Sequence, residues 1–323
     1  MLVGVLGLPG VAAADPMVRC VLADDRLAEA SGLVADPAGG YEVVNDSGNP
    51  STVYRLDDRC AVVGERAVPH RGRDVEDLAR TLDGTLWLAD VGDNGRRRDT
   101  VAVLRLDGSG AETVERLTYT DGPHDAESLL VPADGRPVVV TKDLSGRSGV
   151  YVADGSTLRQ AGEVVVPGEA MTALGAGTFT GGALSADGRV VALRTYTDAW
   201  LYPAPRGTGT AEDVVAALRT APVRVPLPAE AQGEALAFAP DGMLLATGET
   251  PAGEAPAPLH AIPGATALVD GAPTAATPSA GPAPASDRAG LPEPLASIGV
   301  VLAAAVAVAA LLAVVVLVRR RRR

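Results

Sequence analysis

A block of about fifty residues recurs five times along this 323-residue chain, and few folds accommodate such a repeat. Each copy reads as a short apolar run, a glycine-containing turn, a second β-rich run and a third strand. The copies begin at Ser31-Gly32-Leu33-Val34, Glu76-Asp77-Leu78-Ala79, Glu127-Ser128-Leu129-Leu130, Gly182-Ala183-Leu184-Ser185 and Glu234-Ala235-Leu236-Ala237. Their leucines lie 45, 51, 55 and 52 residues apart. A period of about 40 to 50 residues written only in strands predicts a β-propeller, one four-stranded blade per repeat. The expectation is an all-β, five-bladed propeller over residues 17–265. A sixth blade is allowed if residues 171–180 carry a degenerate copy.

The second copy is the clearest. Asp77-Leu78-Ala79-Arg80 reads as a first strand, Asp83-Gly84 as the turn and Thr85-Leu86-Trp87-Leu88-Ala89-Asp90 as a second strand. Asp-Gly between alternating apolar runs is a strong hairpin signal, because glycine accepts the positive φ of the turn. The turn recurs at Asp134-Gly135, Asp187-Gly188 and Asp241-Gly242, with Gly39-Gly40 in the first copy. Third strands follow at 53–56, 101–106, 150–152, 200–202 and 259–262, and fourth strands at 61–68, 112–119, 158–166 and 214–225. The fifth copy lacks a fourth strand, which residues 18–23 have the length and pattern to supply. Joining the two ends of the chain in one blade removes the open edges.

The second copy resembles a blade of the NHL and YWTD type. More closely, Val75-Glu76-Asp77-Leu78, Asp90-Val91-Gly92-Asp93-Asn94, Asp125-Ala126-Glu127-Ser128-Leu129, Val140-Thr141-Lys142, Leu193-Arg194-Thr195-Tyr196 and Gly233-Glu234-Ala235 resemble a group of secreted actinobacterial propellers without an established activity. There is a fainter similarity to calcium-dependent phytase-like and esterase-like propellers. These resemblances imply a propeller and do not name a substrate.

The ends of the chain read differently. Residues 1–14 resemble a signal peptide lacking its basic n-region, with Ala12-Ala13-Ala14 as the cleavage site. Residues 271–297, dominated by Ala, Pro and Gly, read as an extended stalk. Residues 298–318 are uncharged and apolar and precede Arg319-Arg320-Arg321-Arg322-Arg323. That pattern predicts a transmembrane helix with residues 319–323 cytoplasmic, placing the protein at the plasma membrane with its propeller outside.

The formal net charge is −12. An acidic body without a basic patch excludes nucleic acid as a partner and leaves a protein or a small polar ligand. Two cysteines, Cys20 and Cys60, most simply form one disulfide in an exported chain, the alternative being two free thiols.

Chemistry would sit where the first strands line the channel. The positions just ahead of those strands carry Glu29, Asp74 with Glu76, Asp125 with Glu127, Thr180 and Glu234; the ends of the second strands carry Asp46, Asp90, Lys142, Arg194 and Glu249. The candidate ligand-binding ring is therefore Asp46, Glu76, Asp90, Glu127, Lys142, Arg194, Glu234 and Glu249. Converging carboxylates suit calcium, for which Asp90, Glu127 and Glu234 are the candidate ligands. A polar ligand on Lys142 and Arg194, or a structural ion network, are the alternatives. Catalytic signatures are scarce: no Gly-x-Ser-x-Gly or His-Glu-x-x-His occurs, and His70, His124 and His260 are dispersed. The sequence favours a binding or interaction module; the alternative is a metal-dependent phytase-like or esterase-like hydrolase.

Overall fold

The computed structural model describes residues 15–167 and 177–271. Five glycine turns of positive φ, at Gly40, Gly84, Gly135, Gly188 and Gly242, fold the repeats back as hairpins. The first antiparallel group is β2 (Ala30–Ala35), β3 (Tyr41–Asn45), β4 (Thr52–Leu56) and β5 (Val62–Ala67). The second is β6 (Asp77–Arg80), β7 (Leu86–Asp90), β8 (Val101–Leu106) and β9 (Glu112–Tyr119). The third is β10 (Ala126–Leu130), β11 (Val138–Thr141), β12 (Arg147–Asp154) and β13 (Thr157–Val165); a short parallel pairing of β13 with β9 joins it to the second. The fourth is β14 (Gly181–Leu184), β15 (Val190–Arg194), β16 (Asp198–Pro203) and β17 (Val223–Pro226). The last is β18 (Gly233–Phe238), β19 (Leu244–Gly248) and β20 (Pro258–Ile262), completed by β1 (Met17–Val21) from the start of the body. The expected fourth strand from the opposite end of the chain is thus in place.

The groups form a propeller-like ring, because each packs on the next. Val34 and Val44 of the first meet Leu78 and Leu88 of the second; Trp87 and Val103 meet Leu129 and Val139; Leu130 and Val140 meet Val191 and Trp200. Val190 and Leu201 then meet Leu236 and Ile262, and Leu245 and Leu259 return to Leu33 and Tyr54. The first strands approach closely where residues are small: a Cβ on Gly32 would stand 2.6 Å from the Leu78 amide, and one on Gly181 2.2 Å from the Glu234 carbonyl. Larger residues there would push neighbouring strands apart.

Several expectations need correction. Residues 214–225 are not one strand: helix α1 (Ala211–Ala217) takes their first part and β17 only the end. The cause is legible in Thr210-Ala211-Glu212-Asp213, where the Thr210 hydroxyl accepts from the Asp213 amide and caps an Ala-rich turn. The packed body also runs past residue 265, through a 3-10 helix (Ala265–Gly271) whose Ala265 and Leu268 are buried. The plasma-membrane placement is overturned by the helices present. Among the described residues none is long and apolar enough to cross a membrane, and α1, at seven residues, spans about 10 Å against the roughly 30 Å required. The signal sequence (1–14), the stalk beyond Gly271, the 298–318 span, the 319–323 tail and most of the 171–180 stretch lie outside the described residues.

Cys20 on β1 and Cys60 in the β4–β5 turn form a disulfide, Cα atoms 5.8 Å apart. It ties the strand that completes the last group to the first group.

Candidate functional site

One irregularity repeated around the ring builds the site. In β2, β10 and β18 the register slips by one residue, at Ser31, Glu127 and Glu234. A bulge of this kind re-aims the extra side chain. Glu76 and Thr180 hold the corresponding places, each bonding back to the second strand through its amide (Glu76 to the Ala89 carbonyl, 2.8 Å; Thr180 to that of Arg194, 2.9 Å). Glutamates from three of the groups are thereby turned toward one end of the channel. The Ser31 and Thr180 hydroxyls instead bond to backbone carbonyls of the next group, at Glu76 and Gly233.

Register also decides which second-strand residues reach that end. The residues after the bulge position pair Gly32 with Val44, Asp77 with Ala89, Ser128 with Val140, Gly181 with Arg194 and Ala235 with Thr247. Two residues further on stand Asp46, Val91, Lys142, Tyr196 and Glu249. Asp90 is one residue short of this place, and a one-residue offset moves a side chain to the other face. Its carboxylate is buried and engaged by His70 (3.1 Å), Arg98 (2.9 Å) and the amides of Arg73 and Asp74. Arg194 is two residues short and wholly buried, bonding to Glu230 (2.9 Å) and to the carbonyls of Ala235 and Thr247. It joins the fourth group to the fifth.

Asp46, Glu234 and Glu249 offer oxygens all within 4.8 Å of one another, as do Asp46, Asp74 and Glu76. Glu127 stands beside them in an ion pair with Lys142, whose ammonium also lies 5.6 Å from the Tyr196 ring centre. Of the expected calcium ligands, Glu234 is in such a group; Asp90 and Glu127 are not. The candidate ring omits Asp74, although the sequence places it with Glu76 just ahead of a first strand, and it omits Tyr196. Asp74 adjoins a singled-out glutamate, and Tyr196 becomes visible only once the fourth group is registered.

Electrostatics follow from burial. Desolvation, and then repulsion from Glu127, push Glu76 well up; desolvation and Glu127 do the same to Glu234. Desolvation lifts Glu127 to about 7 despite Lys142, and Asp74 to about 6 with help from Asp46. Asp46 and Asp125 are also raised by burial. For Lys142, burial opposes the charge, but Glu127 outweighs it and the pKa rises. Two buried oxygens, Glu127 Oε2 and Glu234 Oε2, have no hydrogen-bond partner.

Deeper in the channel is Asp77, fully buried. Its Oδ2 accepts from the amides of Leu129 (2.8 Å) and Gly182 (3.2 Å), and its Oδ1 from that of Leu78 (2.8 Å). One side chain thus bonds three first strands.

No protein-family model matches the chain, and no curated protein matches it. Solved structures do. It is similar to a putative gluconolactonase, at 15% identity over 74% of this chain and 76% of that one, with a TM-score of 0.44. A streptogramin B lyase follows at 12% identity, 77% and 97% coverage and a TM-score of 0.41; a gluconolactonase from Xanthomonas campestris follows at 13%, 79% and 99%, and 0.40. At these identities the likeness concerns fold alone.

Proposed function

We propose that the five groups are the blades of a five-bladed propeller whose acidic mouth holds a divalent cation and supports metal-dependent hydrolysis of the esterase or phosphatase kind. The observation that carries this reading is the buried, unpartnered Oε2 of Glu234 among acids of raised pKa, in a group whose oxygens lie within 4.8 Å of one another. A buried acid without a donor is costly, and a hard cation with oxygen ligands removes the cost. Asp46, Glu234 and Glu249 would hold it, with Asp74 and Glu76 adjoining. A bound cation of this type supplies Lewis-acid polarisation of a carbonyl or phosphoryl oxygen.

The chain's own groups suit the remaining roles. Asp74, with its pKa near 6, takes a proton from water at neutral pH. Lys142, held in place by Glu127, carries the mouth's ammonium and attracts the anionic part of a substrate. Ligand binding without turnover is the second reading, favoured by the absence of a nucleophile motif in the sequence.

The test compares melting of wild type and Glu234→Gln in EDTA and in millimolar Ca²⁺, with a screen of p-nitrophenyl esters and phosphates. Calcium should raise the wild-type Tm, since stabilisation grows as RT ln(1 + [L]/Kd), and Glu234→Gln should weaken binding at least tenfold. The variant should be no less stable than wild type in EDTA. A flat calcium response defeats the cation; a calcium response without turnover leaves the binding reading.

A further inference from the structure

The other end of the channel has the opposite chemistry. Beyond the Asp77 carboxylate, a funnel of about 890 Å³ opens among the hairpin ends of the first strands. None of the mouth acids lines it. Its walls include half-buried Ala35, Ala79, Ala183 and Leu184, with Trp87 and Phe238 behind them. Leu82, 83% exposed at the tip of the second hairpin, stands on its lip. The size is that of a small-molecule site, and apolar walls with a few polar groups at one end are what such sites share.

The rim supplies the polar part. Asp83, Asp107, Asp134 and Asp187 lie in or beside the turns that line the funnel. Thr81 and Ser109 hydroxyls hold the carboxylates of Asp83 and Asp107 below their ordinary pKa, so both stay charged. Two arginines share the rim. Arg80 is neutralised by Glu42, and Arg105 lies over the Trp87 ring, 5.6 Å from its centre. Among the lining residues the balance is four carboxylates against Arg105, the one guanidinium without a carboxylate partner, while Arg66 and Arg136 lie outside the lining near Asp107 and Asp134. We propose that this funnel is a second binding site, taking a small apolar molecule that ends in an ammonium group. The tail lies against the alanines, Leu184 and Trp87, and the ammonium meets the turn aspartates. The site does not depend on a cation at the acidic mouth.

Octylammonium is the probe, with octanoate and octanol as chain-matched controls, followed by tryptophan emission in the full chain. The chain has two tryptophans, and Trp200 is buried between the third and fourth groups, away from the funnel. Octylammonium should give a saturable change that Trp87→Phe abolishes, and bind at least tenfold tighter than octanoate. Ala79→Phe and Ala183→Phe should each weaken it tenfold or more. If either fails to fold, Asp83→Asn with Asp187→Asn serves instead, bringing octylammonium down to the affinity of octanol. EDTA and Glu234→Gln should change nothing. The absence of a saturable signal, equal binding of octanoate, or folded funnel-filling variants that bind normally would each overturn the proposal. Self-association of the chain that Ala79→Phe removes would overturn it in favour of a second copy as the occupant.

Discussion

At the scale of single residues, the protein concentrates acids where water cannot reach them. Glu127 holds its proton to about pH 7, against an ordinary 4.5, and Asp74 to about 6, against 3.8. Groups whose folded pKa is raised bind protons more tightly in the native state. Their contribution is complete below the ordinary carboxylate range and is lost as pH rises through about 6 to 7. His260, whose pKa is lowered by burial, acts the other way, favouring unfolding as it gains a proton below its ordinary value. One histidine opposes several carboxyls, so the carboxyls decide the sign. Scanning calorimetry in EDTA should therefore show a higher Tm at about pH 5.5 than at about pH 8. Millimolar Ca²⁺ should reduce the difference by stabilising the protein chiefly at the higher pH. A Tm that rises with pH in EDTA would contradict this account of the mouth.

At the scale of elements, a one-residue slip matters more than the choice of residue. Glu127 and Glu234 face the channel because they occupy bulges, and Asp90 does not because it lies one residue short of the second-strand position. Asp90→Asn should accordingly leave calcium affinity within about twofold while lowering stability by about 1–3 kcal/mol, since it weakens the contacts to His70 and Arg98. A tenfold loss of calcium affinity on calorimetric titration would reverse the assignment. Asp77 is an element-scale residue too. Asp77→Ala strands the amides of Leu78, Leu129 and Gly182 and should cost about 3 kcal/mol or more in urea unfolding. A loss under about 1 kcal/mol would show that the three strands are held by packing alone. For α1, Thr210→Ala should cost about 1 kcal/mol by loss of its cap.

The whole molecule depends on closing a ring with strands from distant parts of the chain. β1 pairs with β20, and the Cys20–Cys60 disulfide binds that composite group to the first. With the cysteines 40 positions apart, the chain-entropy relation assigns the bond about 4 kcal/mol. Cys20→Ser with Cys60→Ser should lower the urea-unfolding free energy by about that amount. The calcium response of the remaining fold should persist, because the mouth ligands come from β-strands and loops that the bond does not touch. An unchanged free energy would show that strand pairing alone closes the ring.

The amino-acid sequence by itself determined the repeat, the Asp-Gly and Gly-Gly hairpins, the composite last group and the cysteine pair. The repeat and the hairpins rest on local period and turn chemistry, which act between residues close in the chain; the composite group and the cysteine pair follow from counting strands and thiols. Glu76, Glu127 and Glu234 were legible as channel residues because they hold the same place in three of the five repeats. What only the tertiary structure decided was register and company. Nothing local distinguishes Asp90 from Val91 as the residue nearest the mouth, or Arg194 from Tyr196; cross-strand pairing does. The Asp77 contacts to two neighbouring first strands, the unpartnered oxygens of Glu127 and Glu234, and the separation of an acidic mouth from an apolar funnel depend on residues some fifty or a hundred positions apart. Such contacts exist only once the ring has closed, because burial in the ring both turns those side chains inward and removes the water that would otherwise satisfy them.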